Sequence, residues 1–584
     1  SLPPRDGGLL RTVSHSPAVR YNVAHMRALV LVTVTSATIM FGTLDAVAQE
    51  RWQARSMTMS TRGIAATSQT LASQVGAQIL ARGGSVVDAA IASNLALGVV
   101  EPMMCGIGGD LFVLHWDAKT GKLTGLNASG WSGKNYSLEN LKAKGVYSMP
   151  AGGIHTVSVP GAVDGFWRMH QKFGKLPWKE LFQPAIRLAR EGFPVTEIIQ
   201  WDWEQSVRKL SADPNAKKVF LIDGQRAPEV GEVFRNPGLA NAYELIASQG
   251  PAGFYKGSIT EALLKTSGRF GGLLTKEDFA EYSSEFVEPI STTYRGWKVS
   301  ELPPNGQGIG ALMMLNLMER FPIHQWPHAS VEALHAKIES QKLAYADLAR
   351  YVADPKKARV PVEGLLSKAY AAERAKLIRM DQAECDPKSG VPPEATSKHT
   401  IYQALIDREG NMVSWIQSIS DLWGSGVVVD DYGFHLHDRA AGFRFDAEHP
   451  NALGPRKRPF HTIIPGFMEK EGVQIGFGIM RGSNQPLAQA QFVSNVVDHG
   501  MNIQAALEAP RFTRRVLAGC EVLIESRYPE SVRQELEKRG HRLDLRGEYS
   551  GLMGGGQAVM FNTKTKVKSA GSSPRKDGAA IPEP

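Results

Sequence analysis

Residues 85–100 (SVVDAAIASNLALGVV) read as a helix with almost no polar face, and this constrains the fold more than any other stretch. Ser85 and Asp88 form a capping box, because a Ser side chain and an acid three residues on satisfy amides that no helical carbonyl reaches. From there to Val100 the segment is Ala-rich and apolar on most faces. Such a helix has to be buried between layers of a folded core. Pro102 ends it, and residues 70–82 form a preceding helix that stops at Gly83-Gly84.

A hydrophobic fraction of 43% excludes a disordered chain, and 584 residues suggest three or four domains of roughly 150 residues each. Cys105, Cys385 and Cys520 are too few for a disulfide framework and show no zinc spacing. They allow at most one internal bridge, and each reads as a small buried hydrophobe. The net charge is +8, but the 66 Lys and Arg are dispersed among 58 acids, so no nucleic-acid partner is expected. Met26-Arg27, the apolar run 28–42 and Ala46-Val47-Ala48 describe a secretory signal peptide cut after Ala48, with 1–25 an upstream extension. The run is shorter than the roughly 20 residues a membrane span needs. Its removal takes away Arg5, Arg11, Arg20 and Arg27 against Asp6 and Asp45, leaving +6 on a periplasmic or secreted protein.

Further helices are predicted over 175–190 and 330–351. In the second, Glu339, Lys342, Asp347 and Arg350 lie at helical spacing and read as a solvated face. His335 and Glu339 are an i,i+4 pair without a third ligand, so no metal is expected. Near residue 395 the character changes from helix-rich and charged to short β-branched runs, 400–406, 412–419, 427–430 and 473–477. The five residues 407–411 (DREGN) between the first two make a hairpin loop. If the loop is symmetric, paired residue numbers sum to 818, so Ile406 faces Met412 and Thr400 faces Ser418, with two hydroxyls meeting at the strand end. A bulge would slip this register by one, and a Thr opposite a Ser is usually an ordinary polar pair. There is no GxSxG elbow and no P-loop, and Gly476-Phe477-Gly478 is too little for a dinucleotide fingerprint. No cofactor is expected.

The motifs taken in order are more specific. Gly83-Gly84-Ser85-Val86-Val87-Asp88-Ala89-Ala90-Ile91-Ala92 resembles the GGNAVDAAIA signature of the γ-glutamyltranspeptidase family. So do Gly106-Ile107-Gly108-Gly109-Asp110, Pro303-Pro304-Asn305-Gly306-Gln307-Gly308, Gly424-Ser425-Gly426, Lys457-Arg458-Pro459 and Ser573-Pro574-Arg575, which occur in family order. The resemblance implies an N-terminal nucleophile hydrolase of the α+β class, a four-layer αββα sandwich made as one inactive chain that cuts itself. Counting back from Asp407 in the family's T-T-H-Y-S-x-x-D pattern puts the nucleophile at Thr400, and its second hydroxyl falls on Ser418. Cleavage between His399 and Thr400 would leave a large fragment of 49–399 and a small one of 400–584, held together as a heterodimer around one layered core. The free α-amine of Thr400 then serves as base for its own hydroxyl. The substrate is a small-molecule amide, and the acceptor is water or the amine of an amino acid or peptide. The family's oxyanion Gly pair falls on Arg481-Gly482, and an Arg is costly there if the backbone needs positive φ.

Departures from the family speak to substrate. The Arg that holds a γ-glutamyl carboxylate is replaced by Ser129, and the Asp that holds its amine by Gly442. An Asn after the second hydroxyl becomes Ser420, and the paired Ser after Lys-Arg-Pro become His461-Thr462. The loop 443–457 is too short for much of a lid. These features resemble the acylase-like branch, which includes cephalosporin acylase-like and oxamate amidohydrolase-like enzymes. Glutathione cleavage stays open, as do an amidohydrolase that ignores γ-glutamyl compounds and a catalytically impaired exported relative. Arg439, Arg444 and Arg481 are the candidates to replace the missing carboxylate anchor, and the sequence does not choose among them.

Overall fold

The structure, a computed structural model, describes residue 51 and residues 53–392, 403–514 and 519–584. The predicted cleavage pair His399 and Thr400 and the predicted signal segment lie outside the described residues. Residues 52–584 form one unit, not the three or four domains that length suggested.

The capping box forms as predicted. Ser85 Oγ accepts from Asp88 N, Asp88 Oδ2 accepts from Ser85 N, and every residue of the helix Val86–Val100 is buried. Asp88 Oδ2 also accepts the amides of Lys175 and Leu176, at 2.8 and 3.0 Å. Those two residues therefore stay outside the next helix, which starts at Trp178, three residues later than predicted.

Two seven-stranded sheets carry the chain, and all their pairings are antiparallel. From edge to edge the first runs Ala580–Pro582, Ile64–Ala66, Gln403–Ile406, Met412–Ser418, Asp110–Asp117, Lys122–Ala128 and Glu285–Val287. The second runs Thr58–Ser60, Lys568–Ser572, Gly556–Asn562, Val473–Ile479, Gly466–Lys470, Trp297–Glu301 and Ile290–Tyr294. Alternating residues serve different cores, as a pleated strand requires. Leu111, Val113, Val413 and Trp415 pack with the helix Val86–Val100, while Phe112, Leu114 and Ile416 meet Phe467, Val559 and Phe561 of the second sheet. A third core joins Ile475, Phe477 and Ile479 to the helices Gly308–Met318 and Gln485–Val497. Truncating a fully buried side chain such as Ile91 to Ala costs about 2–5 kcal/mol in such packing.

The described part of the hairpin follows the predicted register: Ile406 pairs with Met412, Leu405 with Val413, Ala404 with Ser414 and Gln403 with Trp415. Both sheets interleave strands from either side of residue 395. Residues 427–430 make only an isolated bridge, Val428 with His435, and no strand.

The helix Val331–Tyr351 departs most from expectation. Glu339, Lys342 and Asp347 are buried, and of the four only Arg350 is exposed. The polar face is covered by later chain: Lys342 Nζ donates to Glu339 Oε1 and Glu384 O, and Asp347 takes Arg374 and the amide of Gly390. His541 supplies the third donor that His335 and Glu339 lacked in sequence. However, Lys342 already occupies Glu339, and burial with Lys342, His335, Arg514 and Arg539 pushes His541 down to about 2. His335 Nδ1 and His541 Nε2 are also hydrogen-bonded to each other at 2.9 Å, so the three groups form an internal polar cluster. Cys385 and Cys520 nearby form a disulfide across 135 residues, with Cα atoms 4.8 Å apart, and only Cys105 is a free buried thiol.

Candidate active site

Ser418 ends the strand Met412–Ser418, with Asp110 as its cross-strand partner. The chain comes so close here that a Cβ on Gly109 would run into the Ser418 carbonyl. The strand end is fixed by amides: Gln417 exchanges hydrogen bonds with Gly106 N and O at 2.7 and 2.6 Å, and Trp415 Nε1 donates to Asn94 of the buried helix at 2.7 Å. Ser418 Oγ accepts from the amide of Ser420 at 2.7 Å, and Ser420 turns the chain with φ +80°.

The second sheet brings its own segment. The strand Val473–Ile479 runs out into Met480, Arg481 and Gly482, and the helix Gln485–Val497 follows. Arg481 has φ +99° and Gly482 φ +48°. Gly carries this without penalty, whereas an Arg there costs roughly 1–2 kcal/mol. The Gly482 carbonyl is held at 2.7 Å by Gln307 Nε2, which also donates to the Thr462 carbonyl. With the carbonyl turned to Gln307, the amides of Arg481 and Gly482 donate to no backbone carbonyl among the described residues.

Both segments wall one cavity of about 720 Å³. Ser418, Ser420, Thr462, Arg481, Gly482 and Lys209 give it polar groups, and Leu97, Met104 and Trp415 an apolar side. Behind Thr462 lies a buried charge cluster. Asp110 accepts from Gly130 N at 3.0 Å, Arg439 Nε at 3.1 Å and His461 Nε2 at 2.7 Å, and Arg439 Nη1 donates to Thr462 Oγ1 at 2.9 Å. Burial alone would raise the Asp110 carboxyl, but His437, His461 and Arg439 together hold it well below the ordinary range. Burial and then Arg439 push His461 down to about 3, so it is neutral and donates from Nε2 to the carboxylate.

The structure thus separates the residues the sequence singled out. Ser418, Ser420, Thr462, Arg481 and Gly482 share the cavity wall. Arg439 and His461 sit behind it, buried against Asp110. Ser129 is fully buried, with its hydroxyl accepting from Asn305 Nδ2 at 3.1 Å, and does not reach the wall. Gly442 is exposed at the end of the short 3-10 helix Arg439–Gly442, its carbonyl held by Asn451, and is also away from the wall. Sequence reasoning gave no role to Gln307, Asp110 or Lys209. The first two lie within the quoted motifs, which is the signal that could have found them; Lys209 has none.

The chain matches the family described as gamma-glutamyltranspeptidase over residues 72–583. The chain belongs to the γ-glutamyltranspeptidase family. It is similar to the glutathione hydrolase-like YwrD proenzyme of Bacillus subtilis (strain 168), 34% identical over 530 residues that cover 90% of this chain and 99% of that one. The Acylase ACY 1 proenzyme of Pseudomonas sp. (strain SE83) is 34% identical, covering 89% and 93%. Among solved structures, the cephalosporin acylase from Bacillus halodurans superposes with a TM-score of 0.85 at 40% identity, covering 93% of this chain and 99% of that one. Membership makes this protein a self-processing amidohydrolase of the N-terminal nucleophile type, on an α+β fold. Among the described residues no helix is long and apolar enough to cross a membrane.

Proposed function

We propose that the protein hydrolyses small acyl amides through an acyl-enzyme on Thr400, after cutting itself between His399 and Thr400. The observation that supports this is the cavity wall that Ser418 shares with Arg481 and Gly482, together with the register of the described hairpin pairs, Gln403 with Trp415 through Ile406 with Met412. The α-amine freed by the cut, with an ordinary pKa near 7.7–8, takes the proton of the Thr400 hydroxyl as its oxygen attacks the amide carbon. The Arg481 and Gly482 amides face the oxyanion, each such donor being worth about 3–4 kcal/mol. The proton passes to the leaving amine, the C–N bond breaks, and water, or an amino acceptor, releases the acyl group from the ester. Ser418 holds the Thr400 hydroxyl or amine in place.

The three cores support a four-layer αββα arrangement, with residues 49–399 and 400–584 as large and small fragments. The Cys385–Cys520 disulfide fits an exported, periplasmic or secreted protein. Acyl rather than γ-glutamyl donors are favoured because Ser129 and Gly442, at the family's two anchor positions, lie off the cavity wall. Expression of residues 49–584 should give two fragments, the smaller beginning at Thr400 by N-terminal sequencing, and Thr400→Ala should stay uncut. A new N-terminus elsewhere overturns the assignment, and strong preference for a γ-glutamyl anilide over acyl anilides overturns the substrate reading.

A further inference from the structure

Two left-handed residues in a row, Arg481 at φ +99° and Gly482 at φ +48°, persist only where their surroundings fix them. The main chain supplies part of the hold: Met480 N donates to the Gly555 carbonyl at 2.9 Å, and Asn484 N to that of Arg481 at 3.0 Å. Gln307 takes the Gly482 carbonyl. The next carbonyl, that of Ser483, accepts from the hydroxyl of Tyr345. Tyr345 lies on the helix Val331–Tyr351, is 2% exposed and does not line the cavity.

The same hydroxyl serves the helix Gln485–Val497, whose first amides have no acceptor within the helix itself. Gln485 N turns back to the Gly482 carbonyl, and Pro486 has no N–H. Asn484, at the N-cap position, makes no cap bond, because its side chain donates to the Met553 carbonyl at 3.0 Å. The amide of Leu487 donates instead to the Tyr345 oxygen. One phenol thus joins Ser483 to Leu487, donating to the first and accepting from the second, which a hydroxyl can do and an apolar group cannot. Burial pushes the Tyr345 phenol up, so it keeps the proton it donates.

We propose that Tyr345 is a positioning residue for the reaction: its hydroxyl fixes the turn at Ser483 and the start of the following helix, and so aims the Arg481 and Gly482 amides at the oxyanion. This rests on the reading of those two amides as oxyanion donors. Because Tyr345 is off the cavity wall, it acts through the backbone of the segment. Groups misplaced by about 1 Å in a site lose on the order of 100-fold in rate.

Tyr345→Phe keeps the ring in its socket and removes only the oxygen. In processed protein it should lower kcat on acyl anilides on the order of 10- to 100-fold, with KM little changed. Tyr370→Phe is the control for simple loosening of the same helix, since the Tyr370 hydroxyl donates to Asp347 at 3.0 Å; its kcat should stay at the wild-type value. An equal fall of kcat in both variants overturns the proposal. The second measurement needs neither turnover nor maturation: amide hydrogen exchange of the 480–487 segment in the uncut Thr400→Ala chain, with and without Tyr345→Phe. Exchange there should quicken on the order of 10-fold, as one buried hydrogen bond is lost. Unchanged exchange overturns the proposal whatever the kcat. Faster exchange with an unchanged kcat refutes instead the reading of the Arg481 and Gly482 amides as oxyanion donors.

Discussion

Replacing Asp110 by Asn removes one negative charge from the buried cluster behind Thr462 while keeping its shape. The Asn carbonyl can still accept from Gly130 N, but the amide nitrogen then faces Arg439 Nε and His461 Nε2, both of which donate. Arg439 is 3% exposed and its Nη2 has no partner, so the substitution strands a buried cation. Breaking a buried pair from one side costs about 3–5 kcal/mol. Unfolding entropy of about 2.1 cal/mol/K per residue gives a chain of this size roughly 1 kcal/mol per degree at its midpoint. The melting temperature of Asp110→Asn should therefore fall by about 3–5 °C in a thermal-shift or calorimetric scan of processed protein. Adding Arg439→Met removes the stranded charge, so the double variant should recover about 2 kcal/mol relative to the sum of the single losses. Turnover should drop as well, because Arg439 steadies Thr462 on the cavity wall. A shift under about 1 °C, or losses that simply add, would refute the claim that this ion pair organises the wall.

Three further outcomes are expected. Gln307→Leu leaves the Gly482 and Thr462 carbonyls without their donor. It should lower kcat about 10- to 100-fold with KM little changed, since an oxyanion donor acts in the transition state; a pure loss of folded protein with normal kcat speaks against it. Burial pushes His435 and His461 down to about 3, so both are neutral when folded, while the unfolded chain binds protons below about 6.5. Stability from these groups is complete above pH 6.5 and declines toward pH 3, by about 1.4 kcal/mol per unit for each histidine; His435→Leu should flatten the fall in melting temperature between pH 6.5 and 4. On denaturing gels without reductant, cleaved protein should run as one species near its full mass, and with reductant as two.

The parts of the site legible in the sequence were those fixed by short-range geometry. The loop of residues 407–411 set the hairpin register, because a turn of defined length leaves little freedom in which residues pair. The Ser85 and Asp88 capping box was readable for the same reason. The cost of Arg at position 481 was foreseeable from residue type, and the structure supplies the angle. What stayed hidden depends on distant chain. Lys342 and Asp347 looked solvated because their covers, Glu384 and Arg374, lie 42 and 27 residues on. Gln307 reaches Gly482 across 175 residues, and no local pattern announces such a contact. Arg439 could not be told from Arg481 until Asp110 was seen to claim it.

The disulfide has a consequence for the life of the protein after it is cut. Cys385 precedes the proposed cleavage point and Cys520 follows it. Two fragments held only by packing would separate according to their concentration, and dilution would favour loss. Joined by one covalent bond, each fragment instead meets its partner at a fixed local concentration, on the order of millimolar for short tethers, however dilute the surroundings. Re-association becomes an intramolecular event, so a locally opened enzyme can close again on its own other half.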